Sequence, residues 1–133
     1  MTKFMLLVNY DGGVVAEPML SWSPGDIKAH LAYYEALNQE LTASGELVDH
    51  QALAWPETSK IVRSDGRAAP LVTDGPYAEA KEQIAGYTVV DVESVDRAIE
   101  IAARLSAVPG PGGTPTQQPI EVRQFMDGQT VDL

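Results

Sequence analysis

Alternating apolar positions predict four strands that belong to one sheet. Residues 3–9 (KFMLLVN) place apolar side chains on both faces of the first strand. Residues 84–92 (IAGYTVVDV) form a strong strand, rich in β-branched and aromatic residues. Residues 46–54 (ELVDHQALA) and 120–126 (IEVRQFM) are two further strands. The turn at Asp65-Gly66-Arg67, between residues 60–64 and 69–73, adds a β-hairpin.

In two other segments the apolar residues recur at the spacing of a helix and not of a strand. Ser23 before Pro24 is typical of a helix start, and Gly45 supplies the stop. Between them the helical spacing is set by Ile27, Leu31, Tyr34, Asn38 and Leu41, flanked by Leu37. Ser94 caps a second helix that runs to about Ala107. One side of that helix carries Val95, Ala98, Ala102 and Leu105.

The order of these elements predicts an α+β fold of the ferredoxin-like, split βαβ kind. The chain runs strand, helix, strand, hairpin, strand, helix, strand, so an antiparallel sheet carries both main helices on one face and has an extra β-hairpin. Residues 109–115 (PGPGGTP) are neither helix nor strand. They are interpreted as either an ordered loop or a mobile flap.

The face of the sheet away from the helices is also predicted to be apolar. The side chains expected there are Met5, Leu7, Tyr87, Val89 and Phe125. An uncovered apolar face of that size favours association. A homodimer is the simplest cover, and the alternative is that long loops lie over the face.

Composition limits the class of protein. At 133 residues the chain is expected to form one domain, residues 1–133, and 44% apolar with 21% charged residues is ordinary for a soluble protein. No apolar run approaches a membrane span, and no signal peptide is evident, so a cytoplasmic location is expected. The absence of cysteine excludes disulfides and thiolate sites.

The net charge of −10 weighs against nucleic acid and anionic membranes as partners. A net charge of this size is typical of a protein that is soluble in a bacterial-type cytosol. The glycine-rich segment lacks the Lys-Ser/Thr ending of a phosphate loop, and no His/Asp/Glu cluster has metal spacing. The sequence therefore predicts no metal and no cofactor.

The two histidines have different expected environments. His30 lies at the edge of the apolar stripe, one turn from both Ile27 and Tyr34. A neutral imidazole there can act as acid or base near pH 7, and the alternative is a structural histidine with a satisfied hydrogen bond. His50 follows Asp49 in a strand, so their side chains point to opposite faces and cannot pair. His50 is predicted to be a surface residue.

A turn dense in ionisable groups precedes the third main strand. Asp74-Gly75-Pro76 favours a tight turn. The ionisable side chains that follow are Tyr77, Glu79, Lys81 and Glu82. Asp74 is either a catalytic base or a cap for the turn. Lys81 either pairs with a surface carboxylate or binds an anionic group of a substrate.

Other candidates lie elsewhere in the chain. Arg123 is expected on the sheet face assigned to the dimer, where it makes a cross-interface ion pair or binds an anion. Trp22 and Trp55 flank the first helix and the end of the second strand. They either wall a cleft or anchor the core.

Several short strings resemble one protein family. Residues 72–77 (VTDGPY), with Lys81-Glu82, Gly86-Tyr87 and residues 90–92 (VDV), resemble the YCII-related family, and specifically its DGPF-domain branch. Tyr77 stands where the signature has phenylalanine. Residues 3–7, 44–48, 103–113 and 119–123 are similar to that branch as well, so the resemblance covers nearly the whole chain.

This resemblance implies a dimeric α+β barrel of ferredoxin-like fold. A His–Asp pair has been proposed as a catalytic dyad in such proteins, and His30 matches the position of that histidine. Asp74 is the acidic partner expected here. Members also occur near extracytoplasmic-function sigma factors, which implies a link to regulation.

Two functions follow as hypotheses. In the first, the chain is a small-molecule enzyme in which His30 is the general acid or base and Asp74 either orients it or holds the second proton. Its pocket is lined by Tyr34, Trp55 and Tyr77, and an anionic group of the substrate is held by Lys81 or Arg123. In the second, the chain is a non-catalytic dimer that binds a ligand or regulatory partner.

Overall fold

A computed structural model describes residues 1–75 and 83–127. The six strands are β1 (Thr2–Asn9), β2 (Leu47–Ala52), β3 (Lys60–Arg63), β4 (Leu71–Asp74), β5 (Ile84–Val92) and β6 (Ile120–Gln124). The two α-helices in these residues are α1 (Pro24–Ala43) and α2 (Val95–Ser106). Short 3-10 turns occur at Met19–Ser21, Pro56–Thr58 and Pro111–Gly113.

Four strands form an antiparallel sheet in the order β2-β5-β1-β6. Together with the two helices this is the ferredoxin-like α+β fold that the element order predicts. Strands β3 and β4 form a separate two-stranded antiparallel unit, residues 60–74, which is called the ribbon below. Asp74 is the last residue of β4, so the strand extends one residue further than the sequence pattern indicated.

Register decides which side chains face the helices. Phe4 pairs with Val90 and Leu6 pairs with Thr88, and these residues are buried beneath both helices. The core combines Phe4, Leu6, Val90 and Val92 of the sheet with Leu37, Leu41, Ala98, Ile101, Ala102 and Leu105 of the helices. Burial of this apolar surface is the main stabilising contribution to the fold.

The opposite side of the sheet is called the outer face. Its side chains include Met5, Leu7, Tyr87, Val89, Glu121 and Arg123, as the pairing of β1 with β5 and β6 requires. In the single chain Val89 is buried, whereas Met5, Leu7 and Tyr87 are only half-buried. Phe125, just beyond β6, is exposed. The predicted apolar character of this face is confirmed.

Both helices begin at the predicted serine caps. The Ser23 hydroxyl accepts a hydrogen bond from the Asp26 amide, and the Ser94 hydroxyl accepts one from the Arg97 amide, each at 3.2 Å. The prediction was wrong for one side chain of the first helix. Leu31 is exposed because it lies roughly a quarter of a turn around the helix from Leu37 and Leu41.

Charged side chains connect the two helices and the second strand. The Arg97 guanidinium donates to both carboxylate oxygens of Glu46, at 2.8 and 2.9 Å. Those bonds lower the pKa of Glu46 to about 2. Arg104 makes a similar two-pronged contact with Glu40, and the Tyr33 hydroxyl donates to the Arg104 carbonyl at 2.7 Å. These contacts fix α1 against α2.

One end of the sheet gathers most of the loops. Strand β1 ends where β5 and β6 begin, because Asn9 pairs with Ile84 and Val8 pairs with Ile120. Strand β2 ends there too, since Ala52 pairs with Gly86. Helix α1 follows β1 and the ribbon lies between β2 and β5 in the chain, so both are connected to this loop end of the sheet. Neither helix in the described residues is long and apolar enough to cross a bilayer.

Candidate functional site

His30, in the second turn of α1, is fixed by a backbone carbonyl. Its Nδ1 lies 2.9 Å from the carbonyl oxygen of Pro109. Because a carbonyl oxygen only accepts, Nδ1 carries the proton and donates this bond. In the neutral ring the lone pair then belongs to Nε2. The contact therefore sets the tautomer that a general base requires.

Two aromatic rings pack edge-on against this imidazole. The centroids of the Trp22 and Tyr34 rings lie 5.3 and 5.1 Å from that of His30, at interplanar angles of 77° and 75°. Trp22 is held in place because its indole N–H donates to the Glu17 carbonyl at 3.0 Å. Burial, with a smaller effect of Tyr33, raises the pKa of the Tyr34 phenol to about 12. Tyr34 is therefore neutral across the physiological range.

The loop that presents Pro109 is held by many hydrogen bonds. Gly110 donates to the Thr114 carbonyl at 2.7 Å, and Thr116 donates to the Val108 carbonyl at 2.9 Å. The Gly112 amide also donates to the Asp26 carboxylate of α1 at 3.3 Å. Of the two interpretations of this segment, the ordered loop is the one that these bonds match. Its order keeps the Pro109 carbonyl beside His30.

Asp74 has a different neighbour. Its carboxylate lies 2.5 Å from the Lys60 ammonium across the base of the ribbon, and its side chain is 85% exposed. The pair follows from register, since Lys60 and Asp74 are directly opposite each other. Within the described residues, Asp74 pairs with Lys60 and makes no hydrogen bond to His30.

The remaining predicted site residues are spread over the molecule. Trp55 packs edge-on against Tyr10, with 6.1 Å between ring centroids, at the loop end of the sheet. Arg123 makes an exposed ion pair with Glu121 of its own strand at 2.7 Å. Tyr77 and Lys81 lie outside the described residues.

The other histidine lines an open groove between α1 and β2. His50 is exposed, and its Nδ1 lies 3.5 Å from the Asn38 amide nitrogen. Asp49 instead accepts a bond from the Tyr87 hydroxyl on the outer face, which confirms that the two neighbours cannot pair. The groove has a volume of about 580 Å³ and is lined by Glu35, Asn38, Gln39, Thr42, Ala43, Leu47 and His50. The sequence reasoning did not predict it, although Asn38, Thr42 and His50 are polar positions beside the core.

Metal ligation has no obvious site in this part of the molecule. Across residues 1–75 and 83–127, no three His, Asp or Glu side chains come close enough together to hold an ion. The chemistry offered by His30 is therefore that of an imidazole with a fixed tautomer, flanked by aromatic rings.

Comparison with known proteins assigns the lineage. The family model of the YCII-related domain matches residues 2–113. This chain belongs to the YCII-related family. The matched residues include His30, Asp74 and Pro109, whereas Arg123 lies beyond them.

A relative in the curated proteins has no assigned role of its own. An uncharacterised protein of Rhizobium meliloti (strain 1021) is 29% identical over 86 residues, which is 65% of this chain and 68% of that protein. YCII-related membership therefore identifies the lineage and leaves the reaction to be argued from the site.

Proposed function

We propose that this YCII-related protein is a small-molecule enzyme in which His30 transfers protons as general acid and base. The observation that carries the proposal is the 2.9 Å contact between His30 Nδ1 and the Pro109 carbonyl. It orients the ring and leaves Nε2 as the proton acceptor, as an orienting carboxylate does in other enzymes. A fixed imidazole of this kind contributes about 10²–10⁴-fold to a proton-transfer step.

Asp74 is proposed as the second proton-exchanging group, acting across the substrate. The Pro109 carbonyl already occupies Nδ1, so a carboxylate does not orient His30 through that nitrogen. Asp74 can reach only Nε2, or a substrate bound between the two groups. Support comes from topology, because the ribbon and the start of α1 are both connected to the loop end of the sheet. Substrate binding would then compete with Lys60 for Asp74.

The proposed substrate is a small anion with an apolar body. Tyr34, Trp55 and Tyr77 supply aromatic surface, and Lys81 or Arg123 supplies the positive charge. Arg123 is engaged with Glu121 in the single chain, so an anion binding there would displace an exposed pair worth under about 1 kcal/mol.

A homodimer in the cytoplasm is part of the same proposal. Its support is the outer face, where Met5, Leu7 and Tyr87 remain half-buried in the single chain. A second copy placed over this face would bury them and exclude water.

Proton exchange provides a test that needs no known substrate. A mixture of small organic acids and carbonyl compounds is incubated with the protein in D₂O, and loss of C–H signals is followed by proton NMR. We expect one class of compound to exchange or react, and His30→Gln to slow it about 10²-fold or more. Asp74→Asn should reduce the same rate without abolishing binding.

His50→Gln is the matched control, since His50 is exposed and lies in the groove beyond Asn38. It should leave the rate unchanged. Equal rates for the wild type and His30→Gln on every reactive compound would contradict the proposal.

The second candidate is a non-catalytic ligand-binding or regulatory module, including one linked to sigma-factor systems. The observation that favours it is the state of Asp74, which pairs with Lys60 and is largely exposed. Ligand-observed NMR separates the two functions. A module would show bound compounds without reaction, and His30→Gln would still bind them.

A further inference from the structure

The ribbon exposes apolar side chains on both of its faces. Val62 and Val72 are opposite each other on one face, at 59% and 56% exposure, and Leu71 lies on the other at 63%. Its strands pack chiefly against each other, and no other helix or strand of the described part packs extensively against them. An isolated two-stranded unit is marginally stable in water. Such a ribbon is typical of an element that packs on another surface.

The ribbon also differs in charge from the rest of the chain. From Lys60 to Asp74 it carries three basic and two acidic residues, a net +1, so the rest of the −10 chain carries −11. Arg63 and Arg67 form no ion pair with any described residue. Two guanidinium groups thus have no anionic partner in the described part of their own chain.

The outer face offers the complementary groups. Its centre is apolar at Met5 and Leu7, and Asp91 lies beside it, opposite Lys3. Asp49 and Glu121 also lie on this face and already contact Tyr87 and Arg123. The Oδ1 atom of Asp91 is buried and, among the described residues, has no hydrogen-bond donor. A buried carboxylate oxygen without a donor is unfavourable, and a guanidinium is a strong donor for it.

We propose that the ribbon of one copy packs against the outer face of a second copy of this chain. Val62 and Val72, which share one face of the ribbon, supply the apolar contact, and Arg67 in the turn of the ribbon approaches the carboxylates of the outer face. This inference rests on the proposed homodimer and specifies its interface. Because the ribbon ends at Asp74, docking it on a second copy also fixes the position of this carboxylate.

The oligomeric state of variants tests whether the ribbon forms the interface, with an exposed residue of α2 as the matched control. Val62→Asp and Val72→Asp are compared with Ile99→Asp, which alters a similarly exposed apolar residue of α2, at 52% exposure. Sedimentation equilibrium should show a wild-type dimer, and each ribbon variant should dissociate at least about tenfold more readily. Ile99→Asp should behave as the wild type. Circular dichroism checks that each variant is folded.

Cross-linking tests the location directly, because the chain has no cysteine. Val62→Cys and Leu7→Cys proteins are mixed and oxidised, and a disulfide-linked heterodimer is expected on a non-reducing gel. An Ile99→Cys protein mixed with Leu7→Cys should give none. A homodimer without this cross-link, and unaffected by the ribbon variants, would overturn the ribbon inference and leave the homodimer intact. A monomeric wild type would overturn both.

Discussion

At the scale of single residues, a main-chain carbonyl orients the His30 ring, a role that the sequence assigned to a carboxylate side chain. The sequence suggests a carboxylate as the partner of this histidine, yet the structure gives Nδ1 to the Pro109 carbonyl at 2.9 Å. A carbonyl fixes the tautomer without adding a negative charge beside the ring. Asp74 pairs with Lys60 instead.

Tyr34 gives a prediction at the same scale. Its pKa is about 12 in the folded protein and 10.0 in the unfolded chain, so the neutral phenol stabilises the fold fully below pH 10. That stability is lost between pH 10 and pH 12, by about 1.4 kcal/mol at pH 11. Urea unfolding at pH 9 and pH 11 measures it. Tyr34→Phe should lose less stability over this interval, and an equal loss in both proteins would contradict the assignment.

At the scale of elements, the pairing of β2 with β5 depends on a glycine. A Cβ atom at Gly86 would lie 2.7 Å from the Gln51 carbonyl oxygen and 3.3 Å from the Ala52 Cα. Gly86→Ala should therefore force the two strands apart and destabilise the fold by about 2 kcal/mol. Chemical denaturation at neutral pH measures this loss.

Gly25→Ala is the control for that substitution. Gly25 lies in the first turn of α1, and a Cβ atom there would meet nothing within 4 Å. Because alanine favours a helix, this variant should be unchanged or more stable by up to about 1 kcal/mol. Equal destabilisation by the two variants would show that the close approach at Gly86 has no special cost.

The elements themselves were predictable because each depends on local pattern. Strand alternation, the serine caps and the Asp65-Gly66 turn placed both α-helices and the six strands of the described residues to within a few residues, whereas the short 3-10 turns were not predicted. The contact of His30 with Pro109 was not predictable, because it joins residues 79 positions apart through a carbonyl that every residue possesses. The Lys60–Asp74 pair depends on ribbon register, which the turn sequence alone does not determine.

At the scale of the whole molecule, the distribution of charge and apolar surface points beyond one chain. The core beneath the helices is closed, whereas apolar side chains of the outer face are only half-buried and those of the ribbon are exposed. The basic ribbon and the acidic body are complementary within one sequence. In a symmetric pair, each ribbon can therefore pack against the outer face of the other copy, where its positive charge meets negative charge.

The stability of such a pair must depend on protein concentration. If folding and association are coupled, mass action raises the melting temperature by about 5 °C for a hundredfold rise in concentration of a chain this size. Differential scanning calorimetry over that range measures the slope. Ile99→Asp should keep it, since that side chain lies on the outer side of α2, away from the proposed interface.

Val62→Asp should reduce the slope and lower the melting temperature most at high concentration, where the wild type is most fully paired. A melting temperature independent of concentration would mean that the chain folds alone. The exposed apolar residues of the ribbon would then need a different partner. A slope retained in Val62→Asp would instead place the interface on the outer face without the ribbon, because the stabilising contact would survive a charge at its proposed centre.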